Sequence, residues 1–255
     1  MNRQKISSIA HLDHPIAAPL TDESVRRLLD RALPRGDERV LDLGCARGEW
    51  LVRAVEGRPG LSADGVDLDV TTIERASAEL AGSGPAGQIT LHAGDANDFD
   101  SGHRYDLVLC VGATHAFGGL LPTLESVSHH LAPGGSVLVG EGYWQREPTP
   151  AAVEIFGGGE DPYHDLATTV EQVVEAGWTP VYGHTSTAHE LDDYEWCWTG
   201  TLSRRALDHP EDPDGAELLK AATIHREEWL RGYRDIFGFV TLQLRRTSEG
   251  EPSGV

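Results

Sequence analysis

The chain has 255 residues, with 41 acidic against 21 basic side chains and a formal net charge of −20. A polyanionic partner would meet a repulsive field over much of such a surface, so nucleic acid is disfavoured. No apolar run approaches the roughly 18 residues of a membrane span, and the basic start lacks the apolar stretch of a secretory signal, so no membrane association and a cytoplasmic location are expected.

In chain order, residues 21–33 read as a helix capped by Thr21, with Val25, Leu28, Leu29 and Leu33 on one face. Residues 39–43 form a short buried strand, 44–48 a glycine-containing turn, and a helix starts at Glu49. A second strand over 62–68 leads into a helix over 70–80. After a glycine-rich loop at 82–87 come strands at 89–93, 105–111 and 136–140. Strands alternating with helices at this spacing imply right-handed crossovers and a mainly parallel sheet covered on both faces, so the fold class is α/β, doubly wound. Residues 142–165 are rich in Pro, Gly and aromatics. Beyond them the pattern predicts a helix near 166–176, a strand at 179–184, helices at 192–207 and 214–233 split by a proline-rich turn, and a closing strand at 236–244. Three cysteines, Cys45, Cys110 and Cys197, are too scattered for a disulfide framework or a metal site. His11 and His14 lack a third ligand at a recognisable spacing, and no metal is expected.

The chemistry centres on residues 40–48. A tight glycine turn at the carboxyl end of the first strand presents backbone amides at a helix start, which suits polar or anionic ligand groups. A dinucleotide fingerprint needs G-x-G-x-x-G, but here the small residues are Gly44, Ala46 and Gly48, with Glu49 where the last glycine should be, which weakens a hydride-transfer reading.

The run Asp42-Leu43-Gly44-Cys45-Ala46-Arg47-Gly48 resembles the first motif of the class I S-adenosylmethionine-dependent methyltransferases, acidic-x-G-x-G-x-G. Ala46 replaces the middle glycine, a small change if the backbone there keeps φ negative. Asp67 at the end of strand two, Gly94-Asp95-Ala96 after strand three and the Pro133-Gly134-Gly135 turn before strand five continue the likeness. The resemblance implies a seven-stranded sheet with an antiparallel last strand, S-adenosylmethionine as cofactor, and a cofactor site of Asp42, Gly44, Cys45, Ala46, Gly48, Asp67, Leu68, Asp95, Ala96 and Val111. Asp67 would accept hydrogen bonds from the ribose hydroxyls and Asp95 would face the adenine amino group. The implied division is an N-terminal lid and helix (1–36), the cofactor-binding core (37–142), a cap with strand six (143–235), the last strand (236–246) and a tail (247–255).

Open α/β sheets bind ligands beyond the carboxyl ends of their strands, so the loops after strands four and five should surround the transferred group. His115 and Glu141 stand there as candidate bases; the alternatives are a capping histidine and a glutamate that holds a neighbouring amide. Tyr143, Trp144 and Trp196, with His11 and His14 of the N-terminal segment, are candidate pocket walls. The aromatics Trp144, Trp178, Trp196, Trp198 and Trp229 suit an apolar or aromatic acceptor, or else a second small core. The expected activity is methyl transfer to the O, N or S atom of a small molecule by a monomer or homodimer. A non-catalytic cofactor binder and a methyltransferase acting on protein or RNA are the alternatives.

Overall fold

A computed structural model describes residues 3–82, 87–157 and 162–247. Residues 83–86 of the glycine-rich loop and all but the first residue of the 247–255 tail lie outside the described residues. The strands are β1 (Arg39–Leu43), β2 (Ser62–Asp67), β3 (Ile89–Ala93), β4 (Tyr105–Val111), β5 (Leu131–Trp144), β6 (Trp178–Thr185) and β7 (Phe237–Arg246). The helices are α1 (Arg3–Ala10), α2 (Asp22–Ala32), α3 (Glu49–Val55), α4 (Val70–Ala81), α5 (Leu120–Ser128), α6 (Pro150–Gly157), α7 (Leu166–Glu175), α8 (Ala188–Asp208) and α9 (Gly215–Glu227).

The strands form one sheet in the order β3-β2-β1-β4-β5-β7-β6. The first five pair in parallel, and β7 runs antiparallel to both β5 and β6. Successive side chains leave a strand on opposite faces, and the core divides accordingly. On one face Val40, Leu107, Leu109 and Leu138 meet Val25, Leu28 and Leu29 of α2 and Leu51 and Ala54 of α3. On the other, Leu41, Val108, Val137 and Val139 meet Leu124 and Val127 of α5 and Val173 of α7. Asp42 and Asp67 thus project on the α2/α3 face, and Glu141 on the α5/α7 face.

Three elements depart from the sequence reading. β5 has 14 residues, not the expected five. Its pairing jumps from Tyr105↔Leu131 to Leu107↔Ser136, so residues 132–135 bulge; a Cβ on Gly135 would sit 3.0 Å from the carbonyl oxygens of Ala132 and Tyr105, which only glycine avoids. At its far end the strand continues because β7 pairs with it as far as Trp144↔Phe237. α8 begins four residues before the predicted start, since Thr187 and Glu190 form a reciprocal capping box. The N-terminal segment contains a helix, α1, whose Ile6, Ile9 and Ala10 pack on Leu202 and Ala206 of α8 and on Leu218 and Ala222 of α9.

Glu190 does more than cap. Its carboxylate, 4% exposed, accepts the Ser24 hydroxyl at 2.7 Å, the Thr187 amide at 2.8 Å and the Thr21 amide at 3.1 Å, joining the starts of α2 and α8. Burial alone would raise its pKa, but the donors of Ser24, Thr187 and Thr21, with His184 nearby, outweigh that and lower it to about 2. The folded state therefore prefers the ionised form. That stabilisation is present above the unfolded carboxyl range near 4.3 and is lost as pH falls from there toward 2. Glu190→Ala is expected to cost about 2–4 kcal/mol, because it orphans several buried donors. It should also flatten the acid limb of stability in urea melts taken between pH 6 and 3.

Candidate active site

At the end of β1 the chain turns sharply. Gly44 has φ +83°, and its amide and that of Cys45 both donate to the Val66 carbonyl, at 2.9 and 3.0 Å, fastening the turn to β2. A Cβ on Gly44 would lie 2.5 Å from the Ala113 Cβ, so the turns after β1 and β4 touch. Ala46 corrects the sequence reading: its φ is +48°, a left-handed conformation costing an alanine roughly 1–2 kcal/mol. Its amide donates to Asp67 Oδ2 at 2.9 Å, which helps hold it there.

Asp67 Oδ1 accepts the Asp69 amide at 2.9 Å. An ionised carboxylate offers about four lone-pair sites, so about two remain for a ligand. Asp42 lies beneath, 3% exposed, and its Oδ2 has no hydrogen-bond partner among the described residues. Burial, with the charge of Asp67, pushes its pKa up to about 8. An orphaned buried carboxyl oxygen under a glycine turn, beside a second carboxylate with spare acceptors, fits a ligand carrying hydroxyls and a cationic group. α3 is only seven residues long, so the turn's own shape, more than a helix dipole, defines the site.

The remaining positions of the implied cofactor set are less uniform. Gly48 starts α3 at φ +77°, and Leu68 is 60% exposed beside Asp67. Ala96 is buried and Val111 half-buried at the end of β4. Cys45 is buried, its thiol pushed well up by burial and by Asp42 and Asp67. Its Sγ would sit 2.8 Å from a Cβ on Gly65, so it fills space under the turn. Asp95 is exposed, and its Oδ1 accepts the backbone and side-chain N–H groups of Asn97, at 2.9 and 2.8 Å, which hold its carboxyl below the usual range.

A methyltransferase-domain family model matches residues 41–137, the stretch from β1 to β5 that contains this turn. A crystal structure of an S-adenosylmethionine-dependent methyltransferase from Geobacter sulfurreducens, in complex with S-adenosylhomocysteine, superposes with a TM-score of 0.86 at 26% identity, covering 95% of this chain and 98% of that one. An uncharacterised Escherichia coli protein, YjhP, is 25% identical over 241 residues, 94% of this chain and 97% of its own. The trans-aconitate 2-methyltransferase of Streptomyces avermitilis is 29% identical over 160 residues, 62% of this chain and 52% of its own. This chain is a class I S-adenosylmethionine-dependent methyltransferase.

In this methyltransferase the N-terminal segment crosses the carboxyl edge of the sheet. Ser8 donates to Asp69 Oδ2 after β2 at 3.1 Å, and the Ala17 carbonyl lies 3.5 Å from where a Cβ on Gly112, after β4, would stand. β1 lies between those two strands, so the segment passes over the glycine turn. It is tied down from the far side: His11 Nε2 meets the Tyr194 hydroxyl at 2.9 Å, Thr201 donates to Asp13 at 2.7 Å, and Arg204 pairs with Asp13. His14, 9% exposed, stands edge-on to Tyr194 with its Nδ1 unpartnered among the described residues. Burial lowers the pKa of both histidines, favouring neutral rings.

On the acceptor side of the methyltransferase, His115 is exposed on a 3₁₀ turn, Thr114–Phe117. Glu141 Oε1 accepts the amide of Gly142 at 2.9 Å, and its carboxylate also takes a hydrogen bond from Thr114. The strand end separates the two expected aromatic walls: Tyr143 joins the α5/α7 core, while Trp144, 4% exposed, sits edge-on to Phe156, Tyr163 and Phe237 in a satellite core with Trp229. Trp178 is also fully buried, whereas Trp196 is 53% exposed against Trp229. Trp144 is therefore a packed support behind the site more than an open wall. Sequence reasoning missed Tyr163, Tyr194 and a buried link in which Glu195 accepts from His225 at 2.6 Å and from Tyr233 at 2.8 Å; these groups come from a loop and from helical segments far apart in sequence, and no local spacing marks them.

A recess of about 310 Å³ on the α2/α3 surface is lined by Arg26, Arg53 and Arg58. Each is already paired with Asp22, Glu49, Glu56 or Asp30, so it is an ion-paired seam and is separate from this site.

Proposed function

We propose that the enzyme transfers a methyl group to a small-molecule acceptor of apolar or aromatic character, seated between the turns after β4 and β5 and the underside of the N-terminal segment and α8. The observation that carries this reading is the tied-down segment: a strap fixed to Asp69 and to Tyr194, Thr201 and Arg204 encloses the edge where a polymer would need an open groove. The net charge of −20 disfavours RNA, and one relative is named for a small acceptor, trans-aconitate.

In this reading Asp67 holds the ribose hydroxyls, Leu68 and Ala96 flank the adenine with Asp95 at its edge, and Asp42 faces the cationic end of the cofactor. Gly44, Ala46 and Gly48 shape the turn, Cys45 packs beneath it and Val111 forms the floor. S-adenosylmethionine supplies an electrophilic methyl group when bound. The chain's own contribution is alignment, exclusion of water, and a proton acceptor where the nucleophile carries a proton. His115 and Glu141 are assigned that last task, and His11, His14, Tyr143 and Trp196 the shaping of the acceptor space.

Two measurements follow. With Asp42 near pKa 8 in the free enzyme, a cationic ligand favours its ionised form. Affinity for S-adenosylhomocysteine should therefore rise with pH through about 8, and binding at pH 7 should release a proton, read as a buffer-dependent calorimetric enthalpy. Incubation with fractionated metabolite pools should release S-adenosylhomocysteine from at least one small-molecule fraction. His115→Ala should lower that turnover about 10- to 100-fold with cofactor affinity kept. Release with protein or RNA alone would overturn the small-molecule reading, and full turnover in the variant would remove His115 from the base role.

A further inference from the structure

α1, the second half of α8 and α9 form a body with a core of its own. Ile6, Ile9 and Ala10, Leu202 and Ala206, and Leu218 and Ala222 pack together, apart from the two cores on the sheet faces. Polar bonds tie the same body from within: Lys5 to Asp214 at 2.6 Å, Thr201 to Asp13 at 2.7 Å, and Arg204 to Asp13.

The chain leaves this body toward the sheet at three places, and each carries a strained or compliant element. In the strap, Ala17 has φ +56°, a left-handed conformation unfavourable for alanine. Ala18 and Leu20, just beyond it, are 1% exposed and fixed in the α2/α3 core. α8 is pinned to α2 at its start, through Glu190 and Ser24, but has Gly200 near its middle. Around that glycine the hydroxyls of Thr199, Thr201 and Ser203 donate back to the carbonyls of Glu195, Cys197 and Thr199, at 2.9, 2.7 and 2.8 Å, a pattern that bends helices. Between α9 and β7 the chain makes a π-helical turn, Glu228–Tyr233, with the Arg234 amide on the Trp229 carbonyl at 2.9 Å. Glu195 joins the last two places: it accepts from His225 of α9 and from Tyr233 of the π turn.

Across the cofactor turn, α1 reaches the sheet through Ser8, whose hydroxyl donates to Asp69 Oδ2 at 3.1 Å. The Asp69 amide donates to Asp67 Oδ1 at 2.9 Å, so this latch shares a turn with the carboxylate assigned to the ribose. Resting on that assignment, we propose that α1, α9 and the second half of α8 swing as a hinged roof about Glu195. Cofactor held on Asp67 draws the roof shut through Asp69 and Ser8, which act as positioning residues. A ligand that orders the Asp67–Asp69 turn favours the closed roof, and by linkage the closed roof slows the ligand's departure.

Hydrogen exchange read by mass spectrometry on the full-length enzyme, with and without saturating S-adenosylhomocysteine, tests this. In the wild type the ligand is expected to slow amide exchange at least about threefold in α1 and α9 together with the Asp67–Asp69 turn, leaving α2 unchanged. Ser8→Ala, at an exposed position, should keep the slowing at Asp67–Asp69 and lose it in α1 and α9. In stopped flow the same variant should release S-adenosylhomocysteine about three- to tenfold faster, the loss of one hydrogen bond to a carboxylate, and Ser8→Thr should restore both readouts. Ala17→Gly adopts φ +56° without strain and should slow release about fivefold. S-adenosylhomocysteine that leaves α1 exchange unchanged in the wild type, α1 protection that survives Ser8→Ala, or release unaffected by both Ser8→Ala and Ala17→Gly overturns the inference. Failure of the ribose assignment looks different: S-adenosylhomocysteine affinity is then untouched by Asp67→Ala.

Discussion

Asp67→Ala is expected to weaken S-adenosylmethionine binding by at least about 100-fold, roughly 3 kcal/mol. Two losses add. The carboxylate's spare acceptors disappear, and charge-assisted hydrogen bonds to a ligand are worth about 1.5–3 kcal/mol each. The variant also strips the acceptors from the Ala46 and Asp69 amides, 2.9 Å away on Oδ2 and Oδ1. Ala46, no longer held at φ +48°, should relax toward negative φ and deform the turn. Asp67→Asn keeps one carbonyl acceptor and should fall between wild type and alanine, about tenfold down. Calorimetric titration of the three proteins with S-adenosylhomocysteine checks the order, and thermal melts should show the alanine variant folded, because Asp67 lies at a strand end and outside the hydrophobic core.

Gly44→Ala is expected to damage both stability and binding. The φ of +83° costs any Cβ-bearing residue about 1–2 kcal/mol, and the added Cβ would stand 2.5 Å from that of Ala113, an overlap that cores relieve at about 1–3 kcal/mol. The sum is about 3 kcal/mol. Relief requires the β1 turn to separate from the β4 turn, so the defect should propagate to Thr114 and Glu141. Denaturation in urea should show the lower midpoint, and cofactor titration should show little or no heat. Ala46→Gly is the control, since it removes the methyl group without a clash and should change stability by no more than about 1 kcal/mol.

What the sequence made legible follows from how local each signal is. β1 and β4 are short runs of mostly buried apolar residues, and β1 to β4 all appear within one residue of where the pattern placed them. The Asp42–Gly48 motif located the turn but not its conformation: Ala46 looks like a residue for negative φ, and only its amide's hydrogen bond to Asp67, 21 positions away, explains why it is not. The extension of β5 to Trp144 depends on β7, nearly a hundred residues later. The early start of α8 was within reach, because Thr187 and Glu190 carry a capping-box spacing. The strap was not, since His11–Tyr194 and Asp13–Thr201 are separated by 183 and 188 residues. Tryptophan content left a roof and a second small core both open, and Trp144, Trp178 and Trp229 are packed in cores; composition alone does not distinguish an aromatic wall from aromatic packing.

The central assignment, a methyl-donor site built on Asp42, Gly44 and Asp67, is tested most directly by one calorimetric comparison: S-adenosylhomocysteine and NAD titrated separately into the wild-type enzyme and into Asp67→Ala. One-to-one S-adenosylhomocysteine binding that collapses in the variant, with no heat from NAD, is the expected result. Binding of NAD, or S-adenosylhomocysteine affinity unchanged in Asp67→Ala, would contradict it.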